Sequence, residues 1–329
     1  MSGRVVIVGI GGQDGTLLRL SLERRGIEVF GVGRQGVFRG DRLSSGFPAT
    51  FSTTRQEDVE HLVRVLQPDE VYYLAAHHTS SERCNTTDHP DNFIPFYKVH
   101  VDGFLNFLWA ISQYSRRSRI FYAASSLVFD GSAGPVQNED TAFSPVDYYG
   151  LTKMQGIYLC RHFRKSHGVH ASAGILYSHE SVLRKDTFLS KKLIRAAHEI
   201  SLGLRDSIHV GSLQAQNDWG YAPDYVEAFE SIVHQETPGD YVVATGEMHT
   251  VAEFARIVFD CFGLDEKHYV TENPDILNRV SLPKAGDATK LRQNTGWQPK
   301  QSFESMVERL VVDYLRAVTS NRHSDTGHS

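Results

Sequence analysis

The chain has 329 residues, of which 40% are hydrophobic and 22% are charged, and its formal net charge is −5. This length allows about two domains or lobes, and the composition is typical of a soluble globular protein. The mild acidity argues against a nucleic-acid or anionic-membrane partner, and no apolar run reaches the roughly 18 residues of a membrane span.

The cysteines Cys84, Cys160 and Cys261 are odd in number and lie far apart, without the spacing of metal ligands. We therefore expect reduced thiols in a cytoplasmic protein and no metal site. The chain starts in a strand pattern rather than a signal-peptide pattern. The polar segment 319–329 predicts a disordered tail.

The first predicted element is a strand over Arg4–Val8, buried on both faces. A Gly-rich turn follows, in which Gly9, Gly12 and Gly15 are three residues apart, and then a helix over 16–25. Such glycines let the backbone approach a pyrophosphate, and the helix N-terminus supplies N–H groups and a positive dipole. An ordinary tight turn is the alternative, but the position after the first strand favours a dinucleotide site.

The second strand is predicted over Glu28–Val32, and in a dinucleotide fold its end contacts the adenosine ribose. The chain places Arg34 there instead of an acidic residue, with Arg39 and Arg42 further on. Because a cation suits a 2′-phosphate, this favours NADP(H) over NAD(H). Alternatively, Arg34 is only a solvated loop residue.

An amphipathic helix over 55–66 precedes a strand over 70–76, where small Ala75 and Ala76 leave room for a cofactor at the strand end. The next residues, His77 and His78, have no Cys or carboxylate at ligand spacing and are interpreted as polar loop residues. A long helix is then predicted over Phe96–Tyr114, with apolar residues for a core or an oligomer face.

A strand over 119–123 leads to Ser125 and Ser126, and a helix over 148–167 carries Tyr149 and Lys153. Residues four apart share one helix face, so the Lys153 ammonium can lower the pKa of the Tyr149 phenol. With a serine hydroxyl holding a substrate oxygen, this trio can move a proton to or from a carbonyl or alcohol.

The β and α elements alternate to about residue 177, which predicts a Rossmann-type doubly wound parallel sheet. Further helices are expected over 188–200, 224–234, 251–262 and 303–318, with short strands over 208–210 and 241–243. We expect residues 1–177 to form the nicotinamide-nucleotide domain. Residues 178–318 would form mainly a smaller α/β substrate lobe with segments that return to the first domain.

The ordered set of Gly-rich turn, serine after a later strand and Tyr-x-x-x-Lys resembles the extended short-chain dehydrogenase/reductase family. Roughly residues 3–318 resemble its nucleotide-sugar branch, and most of all the GDP-mannose 4,6-dehydratases. The similar segments are Gly-Ile-Gly-Gly-Gln-Asp-Gly at 9–15, Ser-His-Glu-Ser at 178–181, Asp-Trp-Gly at 218–220 and Gly-Trp-Gln-Pro at 296–299. The resemblance implies this fold, a nicotinamide cofactor and a sugar-nucleotide substrate.

The resemblance also implies which residues form the site. Cofactor contacts beyond the glycines and Arg34 are expected from Gln13, Asp14, Leu74, Ala75, Ala76, Tyr149, Lys153, Leu176 and His179. Substrate contacts are expected from His77, Ser125, Ser126, Ser178, Glu180, Lys191, Lys192, Asn217 and Arg279. Glu180 could instead only pair with a basic neighbour, and one of the two lysines could be solvated. The helices at 96–114 and 148–167 resemble the pair that forms the family's dimer interface, which implies a homodimer or homotetramer.

Departures from the dehydratase pattern decide the predicted reaction. The dehydratases carry a Glu two residues after the catalytic hydroxyl, and when the chains are matched on Gly131 that position is Val128. The family Asn and Arg correspond to Ser178 and Asn217. The segment Val-Phe-Asp-Gly at 128–131 is similar to one in dTDP-4-dehydrorhamnose reductases.

Elimination of water from the sugar needs an acid/base besides the tyrosine, and valine cannot exchange a proton. We therefore predict NADPH-dependent reduction of a 4-keto sugar nucleotide, GDP-linked and of deoxy or heptose type, by Ser126, Tyr149 and Lys153. Three alternatives stay open: a GDP-mannose 4,6-dehydratase-type lyase, a 4-epimerase, and a non-catalytic protein that binds NADP or a sugar nucleotide.

Overall fold

The computed structural model describes residues 3–40, 42–48, 50–77, 90–130, 134–276 and 282–325. Of the residues singled out above, His78, Cys84, Gly131 and Arg279 lie outside this part of the chain.

The strands of the described residues are β1 (Arg4–Val8), β2 (Glu28–Gly33), β3 (Gly36–Arg39), β4 (Arg42–Leu43), β5 (Glu70–Tyr73), β6 (Arg119–Ala123), β7 (Val136–Gln137), β8 (His170–Leu176), β9 (Ser178–Glu180), β10 (Ile208–Val210), β11 (Gln216–Asn217), β12 (Trp219–Tyr221), β13 (Asp240–Val243), β14 (His249–Thr250), β15 (Val270–Glu272) and β16 (Ala285–Gly286). The helices are α1 (Gln13–Arg24), α2 (Gln56–Leu66), α3 (Pro90–Tyr97), α4 (Gly103–Tyr114), α5 (Tyr148–His167), α6 (Leu189–Ser201), α7 (Ala222–Val233), α8 (Val251–Asp260), α9 (Thr289–Thr295) and α10 (Phe303–Asp325).

A central sheet has the strand order β13-β8-β6-β5-β1-β2-β3-β4. Its strands from β13 to β2 are parallel, and β3 and β4 extend it as an antiparallel edge. The direction of the strand order reverses between β1 and β5, so a crevice opens at their carboxyl ends, where ligands of open α/β sheets bind.

Helices cover both faces of this sheet. Buried side chains of α2, α4 and α5 form a hydrophobic core on one face, and those of α1, α7 and α9 form a core on the other. This layering confirms the predicted Rossmann-type doubly wound fold.

A third hydrophobic core joins α6, α8 and α10 with the two-stranded pair β10–β15. The chain returns from it to the central sheet, because β13 pairs in parallel with β8 and α7 packs on the sheet. Two short parallel pairs, β9–β12 and β7–β16, connect distant segments near the sheet's carboxyl edge.

The single helix predicted over 96–114 is instead two helices joined by a π-helical segment, Lys98–Asp102. Pro95, inside α3, has no N–H to donate and interrupts the regular ladder just before this segment. Gly103 then lets α4 approach the sheet, since a Cβ there would lie 2.4 Å from the Tyr73 hydroxyl.

The structure also differs from the predicted tail. Helix α10 continues to Asp325 and so includes seven residues of the segment 319–329, which was expected to be disordered. The hydroxyls of Thr319 and Ser320 donate to the carbonyls of Leu315 and Arg316, four residues earlier, so these polar residues are accommodated in helical geometry. Within the described residues, no helix combines the length and apolarity that a membrane crossing requires.

Candidate active site

The Gly-rich turn is drawn tightly between the ends of three strands. The N–H of Gly9 donates to the carbonyl of Val32 at 2.8 Å, and Gly9 has φ +92°. A Cβ on Gly9 would lie 2.7 Å from the Ala75 nitrogen, and one on Gly15 would lie 2.4 Å from the Gly9 carbonyl oxygen. Only glycine fits these two positions, and the resulting bare backbone at the α1 N-terminus suits a cofactor pyrophosphate.

The first turn of α1 is tied to β9 by side chains. Gln13 Nε2 donates to the His179 carbonyl at 3.1 Å, and the Ser181 hydroxyl donates to Gln13 Oε1 at 2.8 Å. The Asp14 carboxylate faces His179 Nε2 at 3.1 Å. Burial alone would raise the pKa of Asp14, but His179, Gln13 and Arg184 together lower it to about 2. Asp14 is therefore a fixed negative charge at neutral pH.

Arg34 lies in the two-residue turn between β2 and β3 and is exposed. It follows the Val32 carbonyl that holds the Gly-rich turn, so it stands beside the expected adenosine end of the cofactor. Arg39, by contrast, forms an ion pair with Glu28 at 2.5 Å. The arginines of this region are thus not equivalent.

The serine segment after β6 forms a 3₁₀ turn over Ser126–Phe129, capped by Ser125, whose hydroxyl accepts from the Leu127 N–H at 3.2 Å. Ser125 is also the serine that acts on the Tyr149 phenol, since its hydroxyl lowers the pKa of that phenol. Ser126 lies beside it and is buried. The hydroxyl that the structure brings to Tyr149 is therefore that of Ser125, the neighbour of the serine predicted to be catalytic.

Asp147 caps helix α5 by accepting from the Gly150 N–H at 2.7 Å, which sets the helix start one residue before Tyr149. Lys153 is fully buried, and its Nζ donates to the Ala123 carbonyl at 2.7 Å and lies 5.6 Å from the Tyr149 ring centre. Burial lowers the pKa of Lys153 to about 7, although Asp14 opposes the shift.

The net shift of the Tyr149 pKa is upward, opposite to the lowering that was expected from Lys153. Burial raises the pKa of Tyr149, because the phenolate would lose its hydration. Arg184 is the foremost charge that lowers this pKa, while Asp14 and Asp147 raise it. Tyr149 is accordingly protonated at neutral pH.

Arg184 is a residue of this site that the sequence analysis missed, because no pattern distinguishes one loop arginine from another. Its charge acts on both Tyr149 and Asp14, so it faces the crevice. The guanidinium donates to Glu180 at 3.1 and 3.3 Å. Glu180 is buried and also accepts from the Ser190 hydroxyl at 2.5 Å. Its pairing with Arg184 corresponds to the alternative given above, in which Glu180 pairs with a basic neighbour.

Ser178 and Asn217, which stand where the dehydratases have Asn and Arg, contact each other: Asn217 Nδ2 donates to Ser178 Oγ at 2.7 Å. On α6, Lys191 Nζ donates to the Val182 carbonyl at 2.6 Å and lies 5.3 Å from the Tyr314 ring centre, while Lys192 is its half-buried neighbour. Burial lowers the pKa of Lys191. Lys191 is thus engaged within its own lobe.

The remaining predicted residues line the carboxyl edge of the sheet. Leu74 continues β5 and donates its N–H to the Val8 carbonyl at 2.8 Å, Ala76 follows it, and Leu176 ends β8. His77 follows Ala76, and the centre of its ring lies 4.8 Å from the centre of the Phe96 ring. Burial lowers the pKa of His77, and the Lys185 charge lowers it further.

Val128 is fully buried in the core formed with α4 and α5. Two residues later Asp130 forms a buried ion pair with Lys284. Within the described residues, no group of three or more His, Cys, Asp or Glu side chains could hold a metal ion. The geometry therefore offers proton transfer between hydroxyl, phenol and amine beside a dinucleotide cradle.

This fold and site define an extended short-chain dehydrogenase/reductase of the nucleotide-sugar class. The model of the GDP-mannose 4,6 dehydratase family matches residues 6–310. GDP-mannose 4,6 dehydratase 1 of Arabidopsis thaliana is 34% identical over 328 residues, which cover 94% of this chain and 89% of the relative. The chain belongs to the GDP-mannose 4,6-dehydratase family.

Solved structures of other enzymes share the fold. RMD from Pseudomonas aeruginosa, complexed with NADPH, superposes with a TM-score of 0.77 at 17% identity, over 96% of this chain and 99% of the other. dTDP-glucose 4,6-dehydratase from Bacillus anthracis, in complex with NAD, superposes with a TM-score of 0.78 at 16% identity, over 95% and 97%. A nicotinamide cofactor is therefore supported, and both kinds of it occur among these neighbours.

Proposed function

We propose that the protein uses NADPH to reduce the keto group of a 4-keto sugar nucleotide. The observation that carries this proposal is Val128, which stands fully buried where the resemblance to the dehydratases places a proton-exchanging Glu. A ketone reduction needs hydride, one proton and a group that holds the carbonyl oxygen. Tyr149, Lys153 and the adjacent serines supply what the protein must contribute.

The bound cofactor would supply hydride to the carbonyl carbon. The Tyr149 phenol would donate a proton to the carbonyl oxygen, and its raised pKa keeps that proton in place at neutral pH. A serine hydroxyl would hold the same oxygen at hydrogen-bond distance. Lys153 would hold the nicotinamide ribose, and Arg184 offers a charge that suits an anionic group of either ligand.

A dehydratase reaction is the second candidate, because family membership favours it. That reaction must remove a proton from the sugar carbon next to the keto group, which calls for a base. Of the carboxylates around the phenol, Asp14 is held by His179, Asp147 caps α5, and Glu180 is paired with Arg184. Each is committed to another contact, which weighs against this candidate.

Two incubations separate the candidates. With NADPH and a panel of GDP- and dTDP-linked 4-keto sugars, we expect loss of NADPH absorbance and a product heavier by two hydrogens. With GDP-mannose and cofactor, we expect the mass to stay unchanged. Accumulation of a product lighter by one water would overturn the reductase proposal in favour of the dehydratase.

The adjacent serines provide a matched pair of variants. Because Ser125 contacts the phenol, Ser125→Ala should lower the turnover rate more than Ser126→Ala, without weakening NADPH binding. Steady-state kinetics with the keto sugar measure both. A larger loss in Ser126→Ala would return the catalytic role to the serine that the family pattern indicates.

We further propose that the protein is a homodimer or homotetramer. The outer faces of α4 and α5 expose Leu105, Trp109 and Tyr158, large apolar side chains that a second copy would cover. Sedimentation should show an even oligomer, and Trp109→Asp should shift it towards the monomer. A wild-type monomer at micromolar concentration would rule this assembly out.

A further inference from the structure

We propose that His100 is a positioning residue, which fixes Tyr149 relative to the cofactor-lining backbone at the end of β5. The inference deepens the proposed function and rests on Tyr149 acting there. His100 lies in the π-helical segment Lys98–Asp102 and is fully buried. Its sequence context gives no sign of a role, since the pattern predicts an ordinary apolar helix.

The two ring nitrogens of His100 join two elements of the site. Nδ1 lies 2.7 Å from the hydroxyl of Thr152, the residue before Lys153 on α5. Nε2 accepts from the backbone N–H of His77 at 3.0 Å, just beyond the expected cofactor contacts Ala75 and Ala76. One rigid ring therefore bridges the helix of the proton donor and the loop of the cofactor site.

The hydrogen-bond directions fix one form of this ring. The Thr152 hydroxyl donates its proton to a carbonyl of the preceding turn, at 2.8 Å for Tyr148 and 3.1 Å for Tyr149. Its oxygen is then an acceptor towards His100, so Nδ1 carries a hydrogen. Nε2 accepts and carries none. The ring is the neutral Nδ1–H tautomer, which meets both partners without a buried charge.

The same ring packs against the proton donor. Its centre lies 5.2 Å from the centre of the Tyr149 ring, at an interplanar angle of 89°, in an edge-to-face arrangement. Phe96 completes the contact, 6.4 Å from Tyr149 and 6.0 Å from His100. The π-helical turn brings an imidazole into this position, in line with the frequent occurrence of such turns at functional sites.

Two amide variants separate the two hydrogen bonds. Asn at position 100 can donate to Thr152 but is too short to reach the His77 N–H, whereas Gln can reach that N–H. Because small displacements of a reacting group are costly, we expect each of His100→Asn and His100→Gln to lower kcat by on the order of 10-fold. His198→Asn is the matched control, because His198 lies on α6 and packs against Phe262 and Tyr314.

Thr152 tests the same bridge without touching the ring. Thr152→Val removes the acceptor and should lower kcat, and Thr152→Ser should recover most of that loss. The double variant His100→Asn/Thr152→Val should be no slower than the slower single variant, because both changes break one bridge. Additive losses would contradict a shared role.

A spectroscopic readout keeps this test independent of the reaction catalysed. With 3-fluorotyrosine placed at position 149, the ¹⁹F resonance should shift in His100→Asn and stay in place in His198→Asn. An unchanged resonance together with an unchanged kcat would overturn the inference. Failure of the wild-type protein to reduce any keto sugar would overturn the proposed function alone, since the ¹⁹F comparison would still decide the role of His100.

Discussion

Two sides of the crevice differ in how closely they keep the family pattern. The cofactor side, Gly9–Gly15 with the ends of β2 and β5, keeps all three expected glycines, and two of them, Gly9 and Gly15, occupy positions that no other residue fits. The substrate side, Ser125–Asp130 with Ser178–Glu180 and Asn217, has valine, serine and asparagine where the dehydratase pattern has other residues. The nucleotide cradle thus keeps the family pattern more closely than the residues beside it, and the proposed reaction rests on those residues and not on cofactor binding.

The largest effect is expected when the proton donor is removed, because this change should affect turnover and leave cofactor binding intact. Tyr149→Phe should lower turnover by about 10²–10⁴-fold, the worth of general acid catalysis, while NADPH affinity stays close to that of the wild type. Tyr148→Phe is the matched control, since the Tyr148 ring packs against Phe93 instead of the site. Steady-state rates and a fluorescence titration give both quantities. A near-normal rate for Tyr149→Phe would remove this residue from the proposed mechanism.

The next prediction breaks the cofactor side. Gly15→Ala places a Cβ against the Gly9 carbonyl, and the overpacking should cost about 1–3 kcal/mol of NADPH binding or stability. Gly11→Ala is the control, because a Cβ there meets no atom within 4 Å. Titration with NADPH and thermal melting measure the two costs. Equal behaviour of the variants would show that the tight turn is unimportant for the cradle.

A pH experiment tests the buried amine. The pKa of Lys153 is about 7 in the folded protein, and the ordinary pKa of a lysine is 10.5. Between pH 7 and 10.5 the Lys153 side chain therefore binds more protons in the unfolded chain than in the folded protein. Its contribution therefore makes the protein more stable as pH rises through this window, and it is constant below pH 7. Between pH 7.5 and 9 the gain should be about 2 kcal/mol.

Urea denaturation of the cofactor-free protein at those two pH values measures this gain. Lys153→Met removes the titrating group and should remove that part of the pH dependence, while other groups contribute equally to both proteins. If both proteins respond equally to pH, Lys153 does not carry a lowered pKa.

The smallest expected effect concerns cofactor choice. Arg34→Ala should weaken NADPH binding by about tenfold, the low end for a charged hydrogen bond, and leave NADH binding unchanged. Arg39→Ala should alter neither, because Arg39 is paired with Glu28. Competitive titration of the two cofactors provides the measurement. Equal affinities of the wild-type protein for NADPH and NADH would contradict the preference itself.

Much of the fold follows from local pattern. The β-branched run of β1 identifies a strand buried on both faces, and the apolar periods of α2 and α5 identify helices that bury one face against the sheet. The antiparallel edge of β3 and β4 was missed because its strands have only four and two residues. The π-helical segment was missed because the spacing of apolar residues does not distinguish hydrogen bonds between residues five apart from those between residues four apart.

The site was only partly readable for a related reason. Glycine spacing and Tyr-x-x-x-Lys are local signals, so the cradle and Tyr149 could be located directly. The engagement of Ser125 instead of Ser126 depends on the rotation of a 3₁₀ turn, and Arg184 enters the crevice through an ion pair with Glu180. The direction of the Tyr149 pKa shift depends on burial, which a four-residue spacing does not report.

The position of β13 has a consequence for biosynthesis. This outer strand joins β8 only after the ribosome has made the helices and strands between them, α6 and α7 included. Until then the nascent sheet has an unpaired parallel edge at β8, which can template pairing with another chain. A fragment ending at residue 177 would carry the glycine turn, Tyr149 and Lys153 and still keep that edge open. We therefore expect a cofactor half that ends there to aggregate when it is expressed alone.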